Sequence, residues 1–157
     1  MTTHRYWLVK SEPSGFSWAD LLASPDRTAE WDGVRNFQAR NYMREMKLRD
    51  QVLFYHSSIP QPAVVGTAVV VREGYPDFTA WEPKNIHFDP KSTPEKPLWY
   101  MVDIQGKEAL PYPVTLESIK HTPGLEKMML LQRSRLSVQP VTAAEWKIIV
   151  ALGKQGS

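Results

Sequence analysis

Five prolines fall between residues 74 and 97 of this 157-residue chain: Pro76, Pro83, Pro90, Pro94 and Pro97. Each fixes φ and removes a backbone donor, so the stretch cannot be regular sheet. It reads as a long ordered loop with room for one helical turn. Loops of that length inside a compact domain are often functional. The strand-like segments on either side are too few and too irregular for a doubly wound sheet. A small curved sheet or barrel with flanking helices fits better.

The local patterns fill in that outline. Residues 6–10 are aromatic and β-branched, and Pro13 with Gly15 closes them as a first strand. Ser17 and Asp20 have capping-box spacing for a short helix over residues 18–23, which Pro25 ends. The main helix follows Asn36. Ala39, Tyr42, Met43 and Met46 recur at i, i+3, i+4 and i+7, one apolar stripe. Phe37, Arg40, Asn41 and Arg44 share that spacing on another face. Residues 52–56 and 63–72 read as strands, with Gly66 marking a bulge or a close backbone approach. Residues 99–105 alternate, with Tyr100, Val102 and Ile104 facing one way and Trp99, Met101 and Asp103 the other. Residues 115–120 and 125–131 look helical, parted by Pro123-Gly124. A short strand at 137–139 precedes a terminal helix. Thr142 and Glu145 cap that helix, Trp146, Ile149 and Val150 form its inner stripe, and Gly153 ends it.

Composition excludes several classes. There is no cysteine, hence no disulfide, thiol nucleophile or cysteine metal site, which suits a reducing compartment. No apolar run approaches the ~20 residues of a membrane span. The opening residues show no signal-peptide pattern, so the cytoplasm is the expected address. There is no P-loop and no dinucleotide fingerprint, so no cofactor is expected. His87 and Asp89 have same-face spacing, but a third ligand is hard to name, and no metal is expected. His56 and Ser57 are neighbours on a strand and point to opposite faces, so they are not a nucleophile and its base.

The net charge of +2 is too mild to imply a nucleic-acid partner. Its distribution says more. Residues 35–49 carry Arg35, Arg40, Arg44, Lys47 and Arg49 against Glu45 alone. Residues 120–135 carry Lys120, Lys127, Arg133 and Arg135 against Glu126. Such runs are usually solvated faces. Trp31 adds a second feature. Of the six tryptophans, Trp7, Trp18, Trp99 and Trp146 read as packing residues. Trp31 precedes an Asp32-Gly33 turn, where a large ring is seldom needed for packing. A ring there can stack on a base, worth ~1–3 kcal/mol. Lys10 and Ser11, at the exit of the first strand, can hydrogen-bond a base edge or a phosphate.

Five blocks carry a family resemblance: residues 6–13 (YWLVKSEP), 31–41 (WDGVRNFQARN), 54–57 (FYHS), 89–92 (DPKS) and 136–141 (LSVQPV). In order and spacing they resemble the EVE domain, and the likeness makes residues 1–157 a single domain of that family. It implies an α+β, PUA-like fold, a small mixed β-barrel flanked by helices, with kinship to YTH and ASCH domains. It implies a non-catalytic module that recognises a modified nucleobase, in DNA or RNA, in a pocket beside Trp31. Lys10, Ser11, Trp31, Asn36, Tyr55, Ser57 and Trp99 would line that pocket. Arg35, Arg40, Arg44 and Lys91 would meet the backbone. The second ring is open between Tyr55, Trp81, Phe88 and Trp99. The alternative is a small ASCH-like hydrolase acting on a modified nucleoside or amide. There Lys10 and Glu12, on one face of the strand exit, supply the chemistry, with a desolvated Lys10 as base.

Overall fold

The apolar residues of the first and third strands occupy consecutive positions, and the sheet they build is covered on both sides. The computed structural model describes residues 4–155. Six strands form one sheet: β1 (Tyr6–Ser11), β2 (Thr28–Glu30), β3 (Gln51–His56), β4 (Ala63–Pro76), β5 (Tyr100–Thr115) and β6 (Val138–Val141). Their order is β2-β5-β4-β3-β1-β6. β1 pairs with β3 in parallel, and the other pairs are antiparallel. The helices are α1 (Trp18–Ala23), α2 (Phe37–Glu45), α3 (Leu116–Lys120), α4 (Met129–Gln132) and α5 (Ala143–Gln155). The result is the mixed α+β, PUA-like architecture that the motifs implied.

Alternation along β1 and β3 divides the core in two. Trp7, Val9 and Phe54 face a cluster that includes Trp18, Trp31 and Met43. Leu8, Leu53 and Tyr55 face a second cluster with Ile119, Trp146 and Ile149. The caps are those the spacing predicts. Ser17 and Asp20 close a reciprocal box on α1, Asn36 Oδ1 accepts from Ala39 N, and Thr142 with Glu145 brackets the start of α5. Gly66 is a close approach, because a Cβ there would lie 2.5 Å from the Trp18 ring. The proline-rich loop contains one 3-10 turn, Phe78–Trp81.

Five elements differ from the expected ones, and the first is β4, which runs past residue 72 into the proline-rich stretch as far as Pro76, where the shifted ladder pairs that proline with Tyr100. β5 runs ten residues past Gln105, through Pro111 and Pro113. The ladder shifts there: Gly66 opposes Ala109 while Val64 opposes Val114, so both prolines lie in a bulged stretch. β2 has three residues, and its strand partner is β5. Helix α4 is confined to four residues, and residues 122–128 lead into it through successive i→i+3 turns, with Leu125 and Met128 buried. α5 continues past Gly153 to Gln155. Gly153 gives room rather than a stop, since a Cβ would lie 2.7 Å from Leu110 Cδ1. Among the described residues no helix is long and apolar enough to cross a membrane.

Candidate functional site

β1 and β3 run in the same direction, so their C-terminal ends open on one side of the sheet. A cavity of about 390 Å³ lies there. The strand exits supply Lys10, Glu12, Tyr55, Ser57 and Ser58, and the segment before β6 supplies Ser134, Arg135 and Ser137. Lys10 Nζ donates to Ser134 O at 2.6 Å and lies 5.9 Å from the Tyr55 ring centroid. Burial lowers the Lys10 pKa from its usual 10.5 and pushes the Tyr55 phenol up to about 12. Two cations and five hydroxyls against one carboxylate make a cavity suited to an anionic group. Ser58, Ser134, Arg135 and Ser137 were not among the expected site residues. The basic run at 120–135 was the available signal for Arg135.

Trp31 lies on the other face of the sheet. It packs edge-on against Phe54 at 5.5 Å and Phe16 at 6.1 Å, and only 8% of its surface is exposed. Ser11 points to this side too, and its hydroxyl donates to Phe16 O. The turn after Trp31 needs its glycine twice over. Gly33 has φ +79°, and a Cβ would lie 2.5 Å from His87 Nε2. The Gly33 amide donates to Asp77 Oδ2 at 2.8 Å. Asp77 is fully buried, and burial alone would raise its pKa. Hydrogen bonds from Thr79, Gly33 and Arg35 reverse that and leave it lowered. Asp77 also caps the 3-10 turn that ends in Trp81. His87 Nδ1 and Trp81 Nε1 are buried here without a hydrogen-bond partner among the described residues. Asp32 Oδ2 is 3.7 Å from that His87 nitrogen, and burial raises the Asp32 pKa.

The expected pocket residues therefore do not share one cavity. Lys10, Tyr55 and Ser57 do. Trp31 and Ser11 stand across β1 from them. Asn36 Oδ1 is engaged in capping α2. Trp99 stacks on Phe37 at 4.9 Å and donates its indole N–H to Asp89 at 2.7 Å. His87 and Asp89 are engaged separately rather than converging on one point.

The expected backbone contacts divide as well. Arg35 uses four of its five donors inside the protein, on Val34 O, His87 O twice and Asp77. Arg40 bonds Leu98 O and Asn41 and lies over Phe37. Arg44 lies over the Tyr100 ring at 4.4 Å. Lys91 is exposed. Arg133 donates to Gln38 on α2 at 2.9 Å, so the two basic runs of the sequence meet in space.

The EVE domain family profile matches residues 5–152. The chain belongs to the EVE domain family. This EVE domain is 46% identical over 164 residues to mouse thymocyte nuclear protein 1, covering 94% of this chain and 73% of that protein. Among solved structures it resembles the human THYN1 protein in complex with 5-methylcytosine-containing DNA. The TM-score is 0.91 at 39% identity, over 98% of this chain and 99% of that one. A more distant likeness is to the YTH domain of Zygosaccharomyces rouxii MRB1 protein, solved with N6-methyladenosine RNA. There the TM-score is 0.56 at 15% identity, over 98% of this chain and 89% of that one, a likeness of fold alone.

Proposed function

We propose that this EVE domain is a non-catalytic nucleic-acid-binding module that takes a modified base, with 5-methylcytosine in DNA as the first candidate. One observation carries the reading: the likeness over nearly the whole chain to a protein solved with DNA containing that base. The base lodges beside Trp31, and Trp81 is the second ring. Tyr55 is across the sheet, and Trp99 is covered by Phe37 and bonded to Asp89. Trp81, by contrast, has a buried indole N–H with no partner among the described residues, on a turn that Asp77 ties to Gly33. It and His87 offer polar groups for a base edge. The DNA backbone crosses the end of β1 into the Lys10–Arg135 cavity, with Arg44 and Lys91 flanking.

The energetics are consistent. Drawing a base out of a duplex costs a few kcal/mol, which ring stacking and edge hydrogen bonds offset. Phosphate contacts fix register without reading sequence. The test is an equilibrium titration with matched DNA carrying cytosine or 5-methylcytosine, followed by RNA carrying the same bases. The methylated DNA binds tighter by about tenfold, the scale of one methyl in an apolar slot. Equal affinity for both bases overturns the proposal.

A further inference from the structure

Among the described residues one large apolar side chain stands almost wholly in water: Ile86, 93% exposed. A single exposed isoleucine is ordinary on a protein surface. This one is set apart by the backbone that carries it. Asn85 N donates to Glu82 O, and Phe88 N donates to Asn85 O. The Asn85 side chain accepts from His87 N and donates to Glu82 Oε1. Asp89 N closes the loop on Ala80 O at 3.0 Å. The next residue, His87, receives two bonds from Arg35 on its carbonyl and lies against Gly33. The turn is braced on both sides and fastened to the segment that follows Trp31. A stiff turn that holds a branched aliphatic side chain in solvent gives the fold nothing by burial.

The surroundings suit DNA. Phe78 and Phe88, each about two-fifths exposed, belong to the same loop. Lys84 and Lys91 flank Ile86 on it, both exposed and neither paired with a carboxylate among the described residues. The two nearby acids are engaged: Glu82 with Asn85, and Asp89 with Trp99 and the Lys91 amide. When a base leaves a duplex, it leaves a gap between two exposed base faces, and isoleucine is among the apolar side chains that proteins wedge between base steps. We propose that Ile86 inserts into the DNA base stack at the position vacated by the modified base, while Lys84 and Lys91 meet the flanking phosphates. This rests on the base-reading function proposed above.

The test compares Ile86→Ser with the unaltered protein on two ligands, a duplex with one 5-methylcytosine and the same strand alone. 2-Aminopurine beside the methylated base reports unstacking. Ile86→Ser weakens duplex binding by about tenfold and loses the fluorescence rise, while single-strand binding changes little, because a single strand has no paired stack to fill. Unchanged duplex binding, or an equal loss on both ligands, overturns the wedge and leaves base reading intact. An unaltered protein that does not distinguish methylated from unmethylated DNA overturns both.

Discussion

Arg35 and Asp77 form an ion pair at 2.9 Å in which the carboxylate is fully buried and the guanidinium largely so. The pair links the turn after Trp31 to the start of the proline-rich loop. The sequence reading assigned Arg35 to the DNA backbone, but its geometry gives it a structural tie. Removing one partner of a buried pair leaves the other charge uncompensated. Arg35→Ala should therefore destabilise the protein by about 3 kcal/mol. For a chain of this size each kcal/mol moves the thermal midpoint by roughly 2–4 °C. A midpoint within a degree of the unaltered protein's shows that the tie is not holding the loop.

Trp31 and Trp81 can be separated experimentally because their burial differs. Trp31 sits in the core cluster, so Trp31→Ala loses about 3–5 kcal/mol of stability and confounds any binding assay. Trp81 is partly exposed, at the end of a single turn. Trp81→Ala should leave the protein folded by circular dichroism. Its preference for 5-methylcytosine over cytosine should fall to near unity, with residual binding through phosphates. A preference that survives intact places the second wall elsewhere.

Lys10 and Arg135 line one cavity from distant parts of the chain. If both meet phosphates, the double variant Lys10→Gln, Arg135→Gln releases fewer counterions on binding. The slope of log K against log salt should become shallower by about 2, while the ratio of methylated to unmethylated affinity is kept. An unchanged slope with a lost ratio would exchange the roles, making the cavity the base site.

Much of this fold could be read from residues that act locally. Ser17, Asn36 and Thr142 cap the helices they were expected to cap, since a capping side chain bonds an amide only a few positions on. What escaped was decided at long range. Nothing within residues 28–30 specifies a strand; β5 supplies the partner. Nothing within residues 106–115 marks a continued strand: Pro111 and Pro113 suit sheet poorly, and the register shift opposite Val64 and Gly66 admits them. The site follows the same division. Lys10, Tyr55 and Ser57 converge because parallel neighbours end together. Whether Trp31 faced that cavity depended on Phe54 and Tyr55 pointing to opposite sides of β3, which strand alternation implies but the family motifs do not state. Arg135 reached the site through a non-local approach to β1 that no spacing encodes.

His56 gives the fold a defined acid sensitivity. Its Nε2 accepts the Trp18 amide at 3.0 Å, at the start of α1, so that nitrogen must be unprotonated. Burial lowers its pKa from the usual 6.5. Between the folded value and 6.5 the unfolded chain binds a proton that the folded chain refuses. Stability from this group is complete above 6.5 and is lost as pH falls through the folded value. Glu30 and Asp32 act with the opposite sign, because burial raises their carboxyl pKa values. A total pH profile therefore mixes the two, and the comparison has to be made against His56→Gln, which keeps an acceptor but does not titrate. Thermal midpoints from about pH 8 to about pH 5 should fall more steeply for the unaltered protein than for the variant, with the divergence beginning near 6.5. Parallel curves would show that protonation at His56 does not oppose docking of α1 on the sheet.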